Sequence, residues 1–433
     1  MRSRKTPPIF RNAKGWVTRR SPRWILVAGW IVFMLCAYPG YLSFDSVAQF
    51  TEVRTGVFSD AYPPVMSQLW SVCEYVIAGP ASMLAIQGGL FVIGCYALLA
   101  RVIARRVAAV LAIALLLWPP IFSPLSVVWP HSMMSAALAA AAGAFATRDR
   151  RWFPAGCAAI VLAVSCRSQA AVAALPLVGL AISGPFVRKL ALAIGVVVGC
   201  LGVAWLVAAV SIDRDTYTSQ RLEAIDLIGT LRRAHADPAL LGELAAGDPS
   251  TLARRLSASR DAFDWSPLAS GDDRVIDPVA TDDASRELRA AWLAAIGRYP
   301  SAYVAHRFAM TKRLLAIGGR WQPVYEGFGE TAQLHHRATP SDVELGMQWI
   351  VEHLGRTVLF RPWLYVLLGA IALGLAWRVA ELRALAASAL LLELALAVTA
   401  ISTEYRNSHW LVAATTAVLA TVLARRRAEW RAS

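Results

Sequence analysis

Eight side chains carry chemistry at points where long apolar stretches begin or end: Asp45, Tyr62, His131, Arg167, Gln169, Glu404, Arg406 and His409. A carboxylate can take a proton, and a guanidinium can grip an anion through two parallel hydrogen bonds. Charged groups at membrane depth are costly and are retained for a partner or a reaction. Two features point away from a metal centre or a disulfide frame. His335 and His336 have no acidic ligands at a recognisable spacing and read as surface residues. The six cysteines include no CxxC pair, and five of them lie in or at the ends of apolar runs, as small buried hydrophobes do.

The elements that must position these residues are transmembrane helices. The chain has 433 residues, of which 57% are hydrophobic and 17% charged, a combination that ordinary soluble domains do not reach. Several runs match the roughly 20 apolar residues that a helix needs to cross a hydrocarbon core. The net charge of +14 would suit a nucleic-acid binder, but the basic residues cluster beside the apolar runs, so they report topology and no nucleic-acid partner is expected. The first 23 residues carry eight Lys or Arg and no acid, ahead of an apolar run over 24–42. That run lacks a small-x-small cleavage site and reads as a retained anchor.

Positive charge on short loops marks the cytoplasmic side, and this fixes the orientation of each run in turn. Spans are expected at 24–42, 83–100, 107–125, 132–147, 152–166, 170–186, 190–212, 357–377, 384–401 and 410–424. The segment 63–78, interrupted by Gln68 and Glu74, reads as a helix at the outer interface. Counting it as a crossing would put Arg101, Arg105 and Arg106 outside. From 213 to 300 the composition turns polar, with 15 acids against 11 bases, as suits a domain on the outer side. Leu288, Trp292, Ile296 and Tyr299 recur there at helical spacing, and Val304, Phe308 and Leu315 continue an apolar stripe on an interfacial helix that also carries Arg307.

The expected fold is an all-α polytopic membrane protein with about ten transmembrane helices, outer juxtamembrane helices and a mostly helical non-cytoplasmic domain. Its parts are a basic cytoplasmic tail (1–23), an N-terminal membrane module of about seven helices with an outer loop at 43–82 (24–212), the non-cytoplasmic domain (213–356), a C-terminal module of about three helices (357–424) and a second basic tail (425–433). Both termini are then cytoplasmic in the inner, or plasma, membrane. The eight polar residues gather at the outer face.

The segment YLSFDSVAQFTEVRTGVFSDAYPPVMSQLW (41–70) sets an acid just after the first span, then a short loop and an aromatic-Pro-Pro helix start. With VVWPHSMMSAAL, CRSQAAVAALPL, AWLAAIGRYPSAYVAHRF and EYRNSHWLVAA it resembles the GT-C superfamily of membrane glycosyltransferases, in a divergent form of the protein O-mannosyltransferase or aminoarabinose transferase type. The resemblance covers most of the chain in arrangement. It departs from the family at His131, where a second acid is common, and at Tyr62, in the place of the usual His or Lys.

The resemblance implies transfer of a sugar from a polyprenyl-phosphate donor to an envelope lipid, glycan or protein acceptor at the outer face, with membrane lipid as a further partner. Asp45 would be the catalytic base, because partial desolvation at the membrane edge moves a carboxylate toward a useful pKa. Arg167, Arg406 and His131 would stabilise the departing phosphate, with Tyr62, Gln169 and Glu404 as further substrate-binding groups. A divalent cation is the only cofactor such chemistry would call on, and the departure at His131 puts an acidic metal pair in doubt. Trp265, Trp292 and Trp321 are acceptor platforms to test. Each residue also has a structural reading: Asp45 as a helix cap, Arg167 as a snorkelling anchor, Glu404 as the ion-pair partner of Arg406, and His131 as an interfacial residue. A non-enzymatic carrier of an anionic lipid-linked substrate and an inactive assembly factor are the rival functions.

Overall fold

The computed structural model describes residues 21–432 other than 248, 259–262, 264, 271–273 and 319–340. Most of the basic N-terminal tail, Trp321, His335 and His336 therefore lie outside the described residues. Among the described residues the chain is helical and no strand forms beyond isolated backbone bridges. In chain order the helices are α1 (Pro22–Ala37), α2 (Phe44–Thr55), α3 (Pro64–Glu74), α4 (Ala81–Leu99), α5 (Arg105–Leu116), α6 (Pro119–Leu125), α7 (Pro130–Ala146), α8 (Phe153–Cys166), α9 (Ala170–Val178) and α10 (Phe186–Ser211). A polar unit follows with α11 (Gln220–Arg233), α12 (Pro249–Ala258), α13 (Ser266–Ala269), α14 (Asp282–Arg298) and α15 (Pro300–Leu314). The chain closes with α16 (Asp342–Gly355), α17 (Pro362–Leu375), α18 (Ala380–Thr399) and α19 (His409–Ala432).

The protein is a multi-pass membrane protein, but fewer helices than expected can each cross a bilayer by themselves. Four are long and apolar enough: α4, α10, α18 and the stretch Tyr405–Trp430. A fifth forms if α5 and α6 are one span, yet the two meet at a 65° bend. The cause is Trp118-Pro119-Pro120. Proline disfavours helical backbone at the residue before it and cannot donate to the ladder, and Trp118 is extended (φ −68°, ψ 121°). The expected span at 170–186 shrinks to the nine residues of α9, which contains Pro176 and ends at Gly179. Helices α8 and α17 have 14 residues each, about 21 Å of rise against a hydrocarbon core of about 30 Å. Prolines in the first turn of α1, α3, α6, α7, α8, α15 and α17 punctuate the sequence into these short pieces.

Two cores hold the molecule together. The larger unites the apolar helices with α16, through Val351, and with Leu314 at the end of α15. Its tightest seam lies between α4 and α7, where a Cβ on Gly94 would stand 2.3 Å from the Ala139 backbone and one on Gly143 would stand 2.6 Å from the Gly94 carbonyl. Only glycine allows that approach, the usual small-residue solution for helices packed in lipid. The smaller core belongs to the polar unit, with Ile225, Ile228, Val275, Ile276, Leu288 and Met310.

Helix α15 presents its apolar stripe on the outside and packs through its polar residues. Val304 and Phe308, the apolar stripe, are 64% and 72% exposed, while His306 and Arg307 are buried. Arg307 bonds Asp226 of α11 at 2.5 Å and the Ala400 carbonyl, just past α18, at 2.8 Å. Trp292 donates to the same Asp226 carboxylate at 3.3 Å. A Cβ on Gly229 would lie 2.1 Å from the His306 ring, so glycine is required for α11 to seat it.

Candidate functional site

The first loop is pinned to the segment between α6 and α7 by backbone and side chain together. Tyr41 donates to the Ser126 carbonyl at 3.0 Å and accepts from the Val128 amide at 3.0 Å. Gln87 of α4 holds the other side of that segment, donating to the Leu125 and Val127 carbonyls at 2.6 and 3.0 Å. Ser43 and Ser46 form a capping box that starts α2, which frees Asp45, in the first turn, from the capping role. Ser46 donates to the Val128 carbonyl at 2.8 Å, and the Trp129 indole donates to Ser43 at 2.6 Å. Asp45 is thereby fixed beside Trp129 and the start of α7.

The other half of the site arrives from the turn Tyr405–Ser408 between α18 and α19. Tyr405 donates to the Pro120 carbonyl at 3.1 Å, and His409 bonds the Ile121 carbonyl at 3.1 Å, so both are anchors for the turn. Between them Arg406 pairs with Asp45 at 2.8 Å, pairs with Glu404, and lies over the Trp129 ring at 4.7 Å. The Arg406 side chain is 13% exposed and that of Asp45 43%. The desolvation expected of Asp45 is therefore incomplete, because the acid sits at the rim with its partner below it.

Arg167 is held differently. It follows the last turn of α8 and donates to the Asn407 side-chain oxygen at 3.0 Å, with His131 Nε2 against the same guanidinium. His131 Nε2 also lies 2.9 Å from that Asn407 oxygen, and its buried Nδ1 has no partner. Asn407 is fixed in turn by its own donation to Ser402 Oγ at 3.0 Å. No carboxylate pairs directly with Arg167 among the described residues. Burial first, then the neighbouring Arg406, pulls the Arg167 guanidinium down to about 10, against the more distant pull of Asp45 and Glu404. It stays cationic at neutral pH, held mainly by neutral groups, which is how a site waits for an anion.

Tyr62 faces this cluster. Its hydroxyl is pushed up by burial first, next by Asp45, and is eased by Arg221 from the first turn of α11. Arg221 has no ion-pair partner among the described residues and acts on Tyr62 and Arg167, while Arg406 is the guanidinium paired with Asp45. The loop that carries Tyr62 is clamped to the polar unit by Asp60, which accepts from the Thr216 and Thr218 amides at 2.6 and 2.8 Å. Burial works to raise the Asp60 carboxyl, but these hydrogen bonds outweigh it and hold the group below the usual carboxylate range.

Three nominated groups serve other ends. Gln169 donates to Thr399 at 3.1 Å and ties α9 to α18 at the edge of the cluster. Trp292 is committed to Asp226, and Trp265 packs against the smaller core. The donor set does not fit a divalent cation: the two carboxylates at the site, Asp45 and Glu404, both close on Arg406, which fills the position a metal would take. Among the described residues no three His, Cys, Asp or Glu side chains converge elsewhere. Asn407, Arg221 and Trp129 were not nominated from sequence. The signal for Asn407 was its place beside Arg406 in a polar turn between two apolar runs. Comparison with protein-family models, with curated proteins and with solved structures found no match for the chain.

Proposed function

We propose that the chain is a GT-C-type glycosyltransferase that moves a sugar from a polyprenyl-phosphate donor to an envelope lipid, glycan or protein acceptor. The supporting observation is one rim carboxylate, Asp45, paired with Arg406 beside a buried Arg167 that is bonded only to neutral groups. An acceptor hydroxyl attacks the anomeric carbon, the bond from that carbon to the phosphate oxygen breaks, and the acceptor proton passes to Asp45. Arg167, Arg221 and Arg406 take up the charge of the leaving phosphate, with no metal-dependent step. Arriving phosphate competes with Asp45 for Arg406, so donor binding itself would release the base. In this reading the chain makes about ten crossings, several of them by short or bent helices, with both termini cytoplasmic and 213–356 on the far side of the inner membrane.

The carrier alternative has less support. Glu393, the acid deepest in the late spans, is buried and accepts from Ser408 at 2.9 Å, a structural tie between α18 and the turn before α19. The test is transfer of radiolabelled sugar from a panel of polyprenyl-phosphate sugars in membranes carrying wild type, Asp45→Asn or Arg167→Gln. Labelled product from wild type alone is the expected result. Full transfer by Asp45→Asn would remove the base assignment, and silence with every donor would move the weight to a carrier or an assembly factor.

A further inference from the structure

At the other end of α11, the polar unit opens a second cleft of about 1020 Å³. Arg221 lies in the first turn of that helix and Arg232 and Arg233 in its last, about 18 Å apart along the axis, so this cleft is separate from the Asp45 cluster. Its lining includes Arg232, Arg233, His235, Arg298, Tyr299 and Ser301, and no carboxylate is among the lining residues.

Arginines in the last turns of α11 and α14 are favourable against two helix dipoles, and that alone would account for their presence. It does not account for their arrangement. Neither Arg233 nor Arg298 pairs with a carboxylate among the described residues, and Arg298 leans on the Tyr299 ring at 5.5 Å. The Arg233 Nε is buried without a partner. Burial first, and Arg232 second, depress the Arg233 guanidinium. Like charges held together, partly desolvated and opening into a roomy cleft are what an anion would relieve. Val304 and Phe308, exposed on the helix that carries Ser301 in its first turn, put apolar surface close by.

We propose that this cleft is a second anion site, which takes a phosphate group through Arg233 and Arg298, with the Ser301 and Tyr299 hydroxyls in reach. The group would come either from a lipid headgroup lying against the apolar face of α15 or from a free phosphate. The proposal does not depend on sugar transfer at Asp45.

Calorimetric titration of the purified full-length protein in neutral detergent tests it, with inorganic phosphate and dihexanoyl phosphatidic acid as probes. The double variant Arg233→Gln, Arg298→Gln is expected to lose affinity about tenfold or more at one class of site, the loss of at least one charge-assisted contact. The matched variant Arg233→Lys, Arg298→Lys is expected to keep binding, which separates lost charge from lost fold. Arg167→Gln is expected to leave this class intact and to remove a different one if the Asp45 cluster also holds phosphate. Tighter binding of the lipid than of phosphate identifies a headgroup, and equal binding a free phosphate. Titration of the Gln double variant indistinguishable from wild type, with both probes, overturns the proposal.

Discussion

Replacing Arg307 with Met should destabilise the polar unit more at neutral than at acidic pH. The Asp226 side chain is fully buried and Arg307 nearly so, joined at 2.5 Å. Removal of the guanidinium leaves the carboxylate with only the Trp292 indole at 3.3 Å and His306 at 3.6 Å. His306 offers little charge in return, since burial and then Arg307 pull it down to about 3. Breaking one side of a buried pair costs about 3–5 kcal/mol, and here the Ala400 carbonyl also loses its donor. A loss of that size lowers the unfolding midpoint by roughly 10 °C or more for a unit of this length.

The sign of the pH dependence follows from Asp226. Burial raises its carboxyl, and Arg307 is the main opposing influence, so the variant pushes it higher still. An acid whose folded pKa lies above its unfolded value binds more protons when folded. Stability is then greatest below the unfolded carboxylate value and falls as pH rises through the folded one. Thermal unfolding followed by tryptophan fluorescence, at pH 5 and pH 8, should show the variant closer to wild type at the lower pH. Asp226→Leu combined with Arg307→Met should recover most of the loss, since neither charge is then left alone. A pH-independent deficit, or a double variant worse than the single, would refute the reasoning.

Asn407→Asp places a carboxylate against Arg167 and should weaken donor binding about tenfold, seen as a rise in KM with little change in unfolding midpoint. Gly143→Val drives a branched side chain into the Gly94 backbone, so α4 and α7 must part, and the yield of monodisperse protein in detergent should collapse.

How much of this was legible in the sequence depended on what each signal measures. Long apolar runs located α4, α10, α18 and α19, because a bilayer demands length and apolarity and little else. The same runs gave no sign of the breaks that proline makes in them, as at Pro119 and Pro176, since composition registers apolarity and not the missing amide. The polar residues at span ends were brought to one face by loop charge, and the fold sets Asp45, Tyr62, His131, Arg167, Glu404 and Arg406 together there. Their pairing was not legible, because Asp45 and Arg406 are far apart in sequence. Periodicity also marked Val304 and Phe308 as the apolar stripe of an interfacial helix, and both are exposed; what it did not show is that His306 and Arg307 are buried on the other face.

The Asp45–Arg406 pair also constrains how the protein is made. The acid is synthesised early, but its cation lies beyond nearly every other helix and is locked only when Tyr405 and His409 reach Pro120 and Ile121. The Arg307 bond to Ala400 waits for the same segment. During insertion Asp45 therefore waits for its cation, and a chain halted before α18 lacks both the Arg406 partner of Asp45 and the Ala400 acceptor of Arg307. Premature termination late in the chain should be cleared by proteolysis as completely as termination near its start.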